Sequence, residues 1–191
     1  IVASKKYALI QIGLATMEAE PLTEYHDLLV FKPETLRTFT SDIGYDVWNE
    51  QPEAMAVNKF TPERIRAGPR PDVVDKVVCE WLDANVGPGK RDLHAVGWNV
   101  GAFDMPFVVE YLPKTFDRFS YRSVDLNSIL FSMADTDDEY KALKGKAKSS
   151  VEVELRNQGI EPAWHDAGFD AAAALMAFKL LREDIIPEAF A

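Results

Sequence analysis

The long apolar run from Ala171 to Leu181 reads as a buried helix, and the residues just before it constrain the fold most. Trp164-His165-Asp166-Ala167-Gly168-Phe169-Asp170-Ala171 brings an imidazole and two carboxylates to the mouth of that helix. On a straight helix, residues five apart point roughly 140° away from each other. His165 and Asp170 therefore do not share a helix face. A loop carrying His165, with Asp166 as N-cap and Asp170 in the first turn, lets both side chains face one cleft. A histidine beside a carboxylate suits proton transfer next to a bound metal. The same residues also suit a plain cap and a surface hydrogen bond.

A second stretch has a similar form. Gly97-Trp98-Asn99-Val100-Gly101-Ala102-Phe103-Asp104 follows a central strand expected over Leu93 to Trp98. It precedes an apolar helix beginning near Met105-Pro106. Asp104 stands where strand becomes helix, at the C-terminal edge of a sheet, where α/β sites tend to lie. The position equally invites a capping aspartate.

The rest of the chain alternates short strands and helices. Tyr7 to Thr16 reads as a buried strand, Glu18-Ala19-Glu20-Pro21 as a turn with solvated acids, and Tyr25 to Lys32 as a second strand antiparallel to the first. His26 then lies on a strand face. Pro33 to Asn49 is irregular. Short helices are expected from Pro52 and from Thr61-Pro62-Glu63. Asp72 opens the clearest amphipathic helix, with Val73, Val74, Val77, Val78, Trp81 and Leu82 expected in the core and Gly87-Pro88-Gly89 ending it. Asp125 separates a strand from a helix within Arg122 to Leu130. Asp135 to Ser150, with DTDDE followed by KALKGKAK, is a polar loop, and helix resumes over Val151 to Asn157, closed by Gly159. No repeat and no linker divides residues 1–191, which are expected to form one domain.

The chain carries a net charge of −10, which argues against a module that binds nucleic acid through a basic surface. It argues less against a metal-dependent nuclease, whose acids are neutralised locally by bound cations. The single cysteine, Cys79, excludes an internal disulfide and fits a reducing, cytoplasmic setting. No apolar run is long enough to span a membrane, and no signal peptide is visible. The first residue is Ile1, so upstream sequence is expected to have been removed or left out.

In this order the two anchors resemble the DEDDh family of 3′–5′ exonucleases, the proofreading-subunit type. His165-Asp166-Ala167-Gly168-Phe169-Asp170-Ala171 is similar to the family's third motif, His-x-Ala-x-x-Asp-Ala. Asn99 through Phe103-Asp104 is similar to its second. Leu9-Ile10-Gln11-Ile12-Gly13 resembles the family's second strand, and Pro52-Glu53-Ala54-Met55 through Asn58, then Thr61-Pro62-Glu63, resembles the segment after its third. The resemblance implies an α/β, RNase H-like fold, a mixed β-sheet flanked by helices. It also implies phosphodiester hydrolysis at nucleic-acid 3′ ends with two Mg²⁺ or Mn²⁺ ions. Asp104 and Asp170 would hold metal and His165 would be the general base. Asn99, Trp98 and Phe103 would be substrate contacts, although Trp98 and Phe103 also suit core positions and Asn99 could brace its own motif. The Lys141, Lys144, Lys146 and Lys148 run suits phosphate contacts or a solvated loop. Single-stranded 3′ ends are the implied partner, DNA ahead of RNA, with a polymerase as a second. The residues themselves do not separate DNA from RNA.

One departure outweighs the matches. The family's first motif, Asp-x-Glu, supplies two further metal-binding acids, yet Ile1-Val2-Ala3-Ser4-Lys5-Lys6-Tyr7 contains none. Asp137 and Glu139 have the spacing but lie far along the chain. Three explanations compete: a first strand upstream of Ile1, a degenerate nuclease that has lost the motif, or residues absent between Ala3 and Ser4. A catalytically inactive module binding nucleic acid or a polymerase is the alternative reading, and a metal-independent interaction domain is a third.

Overall fold

The computed structural model describes residues 7–22, 25–49, 55–57 and 59–189. The stretches Ile1–Lys6, which lacks the acids of the first motif, and Pro52-Glu53-Ala54, read above as the start of a short helix, lie outside the described residues.

Among the described residues the strands form three separate two-stranded ladders. Strand β1 (Gln11–Thr16) pairs antiparallel with β4 (Arg37–Asp42), in a register that sets Gly13 opposite Thr40. Strand β2 (Ala19–Leu22) forms a hairpin with β3 (Tyr25–Phe31). Strand β5 (Leu93–Gly97) runs parallel to β6 (Phe119–Asp125). The architecture is mixed α/β, with strands of both polarities.

Several expectations change here. Residues 19–22 are strand rather than turn, and β3 pairs with them rather than with β1, because the nearest free edge captures it. Glu20 is exposed and bonded to Lys32, a surface ion pair. Residues 37–42, inside the stretch read as irregular, form β4. Its Arg-Thr-Phe-Thr-Ser-Asp sequence has little apolar alternation, so its pairing is set by β1. Strand β5 is not central among the described residues, since it pairs only with β6.

The helices follow their local signals more closely. Helix α1 (Pro62–Ala67) starts at Thr61, whose hydroxyl accepts from Arg64 N at 3.2 Å. Helix α2 (Pro71–Val86) ends at Gly87, at φ 84°. Its buried stripe is Val74, Val78 and Leu82, with Asp75. Val73 and Val77 are 47% and 41% exposed, so they are not core residues. The stripe faces α4 (Pro113–Phe116) and β4, which leaves the 73/77 edge in water. Asp75 is buried but satisfied, accepting from Lys114 N and Thr115 N at the start of α4.

The largest correction lies in the polar stretch. Residues 137–157 form one helix, α6 (Asp137–Asn157), which follows α5 (Leu126–Ser132). Lys141, Lys144, Lys146 and Lys148 therefore project from a helix, not a loop. The final helix, α7 (Ala167–Ala189), is longer than the expected end near Arg182. Its small, strongly helix-forming face buries Ala172, Ala173, Met176 and Ala177 against Leu126, Leu130, Val151 and Leu155. Lys179, within the apolar run, is buried and reaches Glu183 one turn on. A second cluster joins Ile12 and Ile43 to Val74, Val78, Leu82 and Leu112. None of the described helices is long and apolar enough to cross a membrane.

Candidate active site

Two helix starts bring the candidate residues together. The first is that of α7. Asp166 is its N-cap: Oδ1 accepts from Gly168 N and Phe169 N, both at 3.1 Å. Asp170 stands in the first turn, as the spacing predicts. His165 lies just outside the helix, exposed, at φ 72°. Few residues other than glycine adopt this left-handed backbone. Its N–H donates to Asp170 Oδ1 at 3.3 Å, which ties the loop to the first turn.

The second is the start of α3 (Asp104–Tyr111). Asn99 also has a left-handed backbone, φ 58°, and its carbonyl accepts from Ala102 N and Phe103 N. Asp125 Oδ1 holds the turn by accepting Asn99 N at 2.9 Å. Asp104 occupies the first helical position, and Phe103, the cap residue, makes no side-chain cap bond. Asp104 is thus not the capping aspartate that its sequence position invites.

The electrostatics separate these carboxyls from ordinary caps. At Asp125 burial acts to raise the pKa, but hydrogen bonds from Asn99, Ser128 and Asn127 outweigh it and leave the carboxyl below its usual value. At Asp104 the balance is reversed. Asp104 is an exposed residue at the cavity mouth, yet protein crowds around its carboxyl, and desolvation, with the charge of Asp170 added, pushes it up to about 6. Asp170 is also raised, by burial first and by Asp166 in addition, while its hydrogen bond from His165 and the charges of His165 and Lys148 oppose the rise.

A cavity of about 970 Å³ joins the two helix starts. Trp98, Phe103, Asp104, Trp164, His165 and Asp170 all line it, whereas Asn99 does not. Phe103 is 59% exposed and stacks at a tilt on Phe107, so it is free of the core. Trp98 is half-buried against the α7 cluster. The cavity runs between β1 and β5, which both pack on α7 yet belong to separate ladders. Among the described residues, no strand pairs with β1 on the side away from β4.

Reading the sequence misses the residues that seat this site. Gln11 Oε1 accepts from Ala167 N at 2.9 Å, and Gln11 Nε2 donates to Asp42 Oδ1. Arg64 clamps the Asp42 carboxylate through two nitrogens, at 2.7 and 2.8 Å. Gln11 and Ala167 are 156 positions apart, so no local pattern signals the bond.

Two carboxylates of hard oxygen suit a cation such as Mg²⁺, which is often held by one or two acids with water and phosphate completing its shell. Among the described residues no three histidine, cysteine, aspartate or glutamate side chains gather closely enough to hold a metal ion, so a two-ion centre lacks acids there.

No known protein family matches the sequence, and no curated protein is similar to it. A solved structure described as "3'-end specific recognition of histone mRNA stem-loop by 3'-exonuclease" is similar over 93% of this chain and 84% of its own, at 11% identity and a TM-score of 0.46.

Proposed function

We propose that this protein is a DEDDh-type, RNase H-like 3′–5′ exonuclease that hydrolyses phosphodiester bonds at single-stranded nucleic-acid ends. One observation carries the reading. Two carboxyls and an exposed histidine, brought from separate helix starts, line one cavity, and both carboxyls are raised by desolvation. Structural caps, such as Asp125 and Asp166, each collect two backbone donors, whereas Asp170 accepts one.

Asp104 and Asp170 would hold Mg²⁺ or Mn²⁺ through carboxylate oxygens. When bound, the ion supplies charge neutralisation at the scissile phosphate and acidifies the attacking water. The imidazole of His165 accepts the proton that this water loses, and its exposure leaves room for solvent to carry the proton away. The bond from His165 N to Asp170 Oδ1 fixes the base relative to the acid. Phe103, exposed at the cavity rim, offers a face to the terminal base. In the family that the motifs resemble, an Asp-x-Glu motif supplies the two further acids of a complete centre.

The test is cleavage of 5′-labelled single-stranded DNA and RNA with Mg²⁺, Mn²⁺ or chelator. The reading requires metal-dependent shortening from the 3′ end that Asp104→Asn, Asp170→Asn and His165→Ala each abolish. Full metal-dependent activity in these variants would exclude the site. One observation favours the second reading, an inactive exonuclease-fold module: the absence of a third metal-binding side chain among the described residues. That reading expects oligonucleotide binding with no cleavage under any divalent metal.

A further inference from the structure

Helix α6 carries two lysines that stand apart from the other cations. Lys144 and Lys148 are one turn apart and share a face, about 6 Å from each other along the axis. Lys144 Nζ lies 5.5 Å from the ring centre of Trp98, and Lys148 Nζ lies 4.3 Å from that of Trp164. Both indoles line the cavity, and Trp164 directly precedes His165, which lines it too. Lys144 is further fixed by Asn127 Oδ1 at 3.0 Å, an oxygen that also accepts the Tyr140 hydroxyl. Trp164 is held from the other side by Glu152, which accepts its Nε1–H at 2.7 Å.

Lys32, Lys76, Lys90, Lys141 and Lys179 each meet a carboxylate, whereas Lys59, Lys114 and Lys146 meet none among the described residues, so what sets Lys144 and Lys148 apart is the indole beneath each. Among the described residues no carboxylate lies within 4.0 Å of Lys144 or Lys148, in a chain with 31 acids. A lysine laid along an indole has a packed stem and an ammonium in water. It therefore loses little side-chain freedom when an anion arrives.

We infer that Lys144 and Lys148, on their floor of Trp98 and Trp164, form a track for successive phosphates of a single-stranded nucleic acid leading into the cavity. The inference rests on the exonuclease reading for the direction of the strand, not for the binding itself. Paired cations at one-turn spacing suit a linear polyphosphate, and the indoles beneath suit its bases.

The experiment is binding of fluorescein-labelled oligo-dT and oligo-U, about 12 nucleotides long, to the full chain in chelator. Anisotropy is followed from about 50 to about 200 mM salt. The variant is Lys144→Gln with Lys148→Gln, which keeps both stems. The track requires the slope of log K against log salt to flatten by about 1.4, two phosphate contacts at about 0.7 each. An unchanged slope, or a wild-type chain that binds neither oligonucleotide, overturns it. Equally salt-sensitive capture of a polyglutamate peptide would overturn it in favour of an acidic protein partner. Flattening without any cleavage keeps the track and removes the exonuclease reading. Cleavage with an unmoved slope removes the track alone.

Discussion

Gly13 of β1 touches the backbone of Ala167 so closely that a Cβ built on Gly13 would lie 1.8 Å from the Ala167 carbonyl oxygen. Gly168 makes the reciprocal approach: a Cβ there would meet Thr40 Oγ1 at 1.9 Å. Two glycines therefore let the first turn of α7 lie flat on the β1–β4 ladder. That approach brings Ala167 N to Gln11 and seats the loop that carries His165.

Gly13→Ala follows from this contact as the most damaging small substitution in the strand. The obstructing atoms are backbone on both sides, so relief requires α7 to move. The expected cost is about 3 kcal/mol, the upper end for overpacking, read as a fall in urea midpoint at constant slope. The Ala167 amide should also lose hydrogen-exchange protection. A stable variant with an unmoved midpoint would mean that the strand and helix do not meet there.

Thr136→Ala tests the helix that the sequence concealed. Thr136 Oγ1 accepts from Glu139 N at 3.2 Å, and Glu139 Oε2 reaches back to Asp135 N at 2.8 Å, close to a capping box. Loss of the hydroxyl should cost about 1 kcal/mol and fray residues 137–141, visible by hydrogen exchange. If that segment exchanges freely in the wild type, α6 begins later than Thr136.

The two helix starts were legible because their signals are local. Asp166 caps, Asp170 follows in the first turn, and an apolar face continues to Leu181, all within one stretch of chain. Thr136-Asp137-Asp138-Glu139 is equally local, and Tyr140, Leu143, Ala147, Val151 and Leu155 recur at helical spacing, but the charged residues on either side hide so narrow a stripe. Val73 and Val77 misled in the opposite sense, since a valine pair on the edge of a stripe looks the same in sequence whether or not a neighbour covers it. Strand pairing was not legible. Gln11, Asp42, Arg64 and Ala167 meet across the fold, and β4 owes its existence to the partner it finds.

His165 offers a way to separate strain from chemistry. Its φ of 72° is a conformation that costs an L-residue about 1–2 kcal/mol and glycine very little. His165→Gly should match or exceed the wild type in stability, because relief of the strain offsets the added chain freedom. His165→Ala keeps the strain and should gain nothing. If the histidine is the general base, both variants lose cleavage alike. Thermal unfolding of the pair decides the point: an alanine variant as stable as the glycine one would show that the left-handed geometry does not persist.

Asp104→Asn is expected to stabilise the protein while removing its metal affinity. The folded carboxyl stands at about 6, whereas an unfolded aspartate titrates near 4. Between those values the folded state binds more protons than the unfolded state, so stability falls as pH rises through that window. Above about pH 6 the cost of the desolvated charge is fully present. The asparagine variant escapes it and should melt about 1–3 °C higher at about pH 8, a modest gain because the carboxylate still touches water. The advantage should shrink from about pH 6 downward and vanish only below about pH 3, where both states of the wild type are protonated. Added Mg²⁺ should reverse the order at pH 8, since only the ionised pair of Asp104 and Asp170 gains from the cation. Calorimetry of both proteins across this range, with and without Mg²⁺, checks each step. A variant less stable than the wild type at pH 8 would make Asp104 a structural residue and leave Asp170 and His165 without a partner acid.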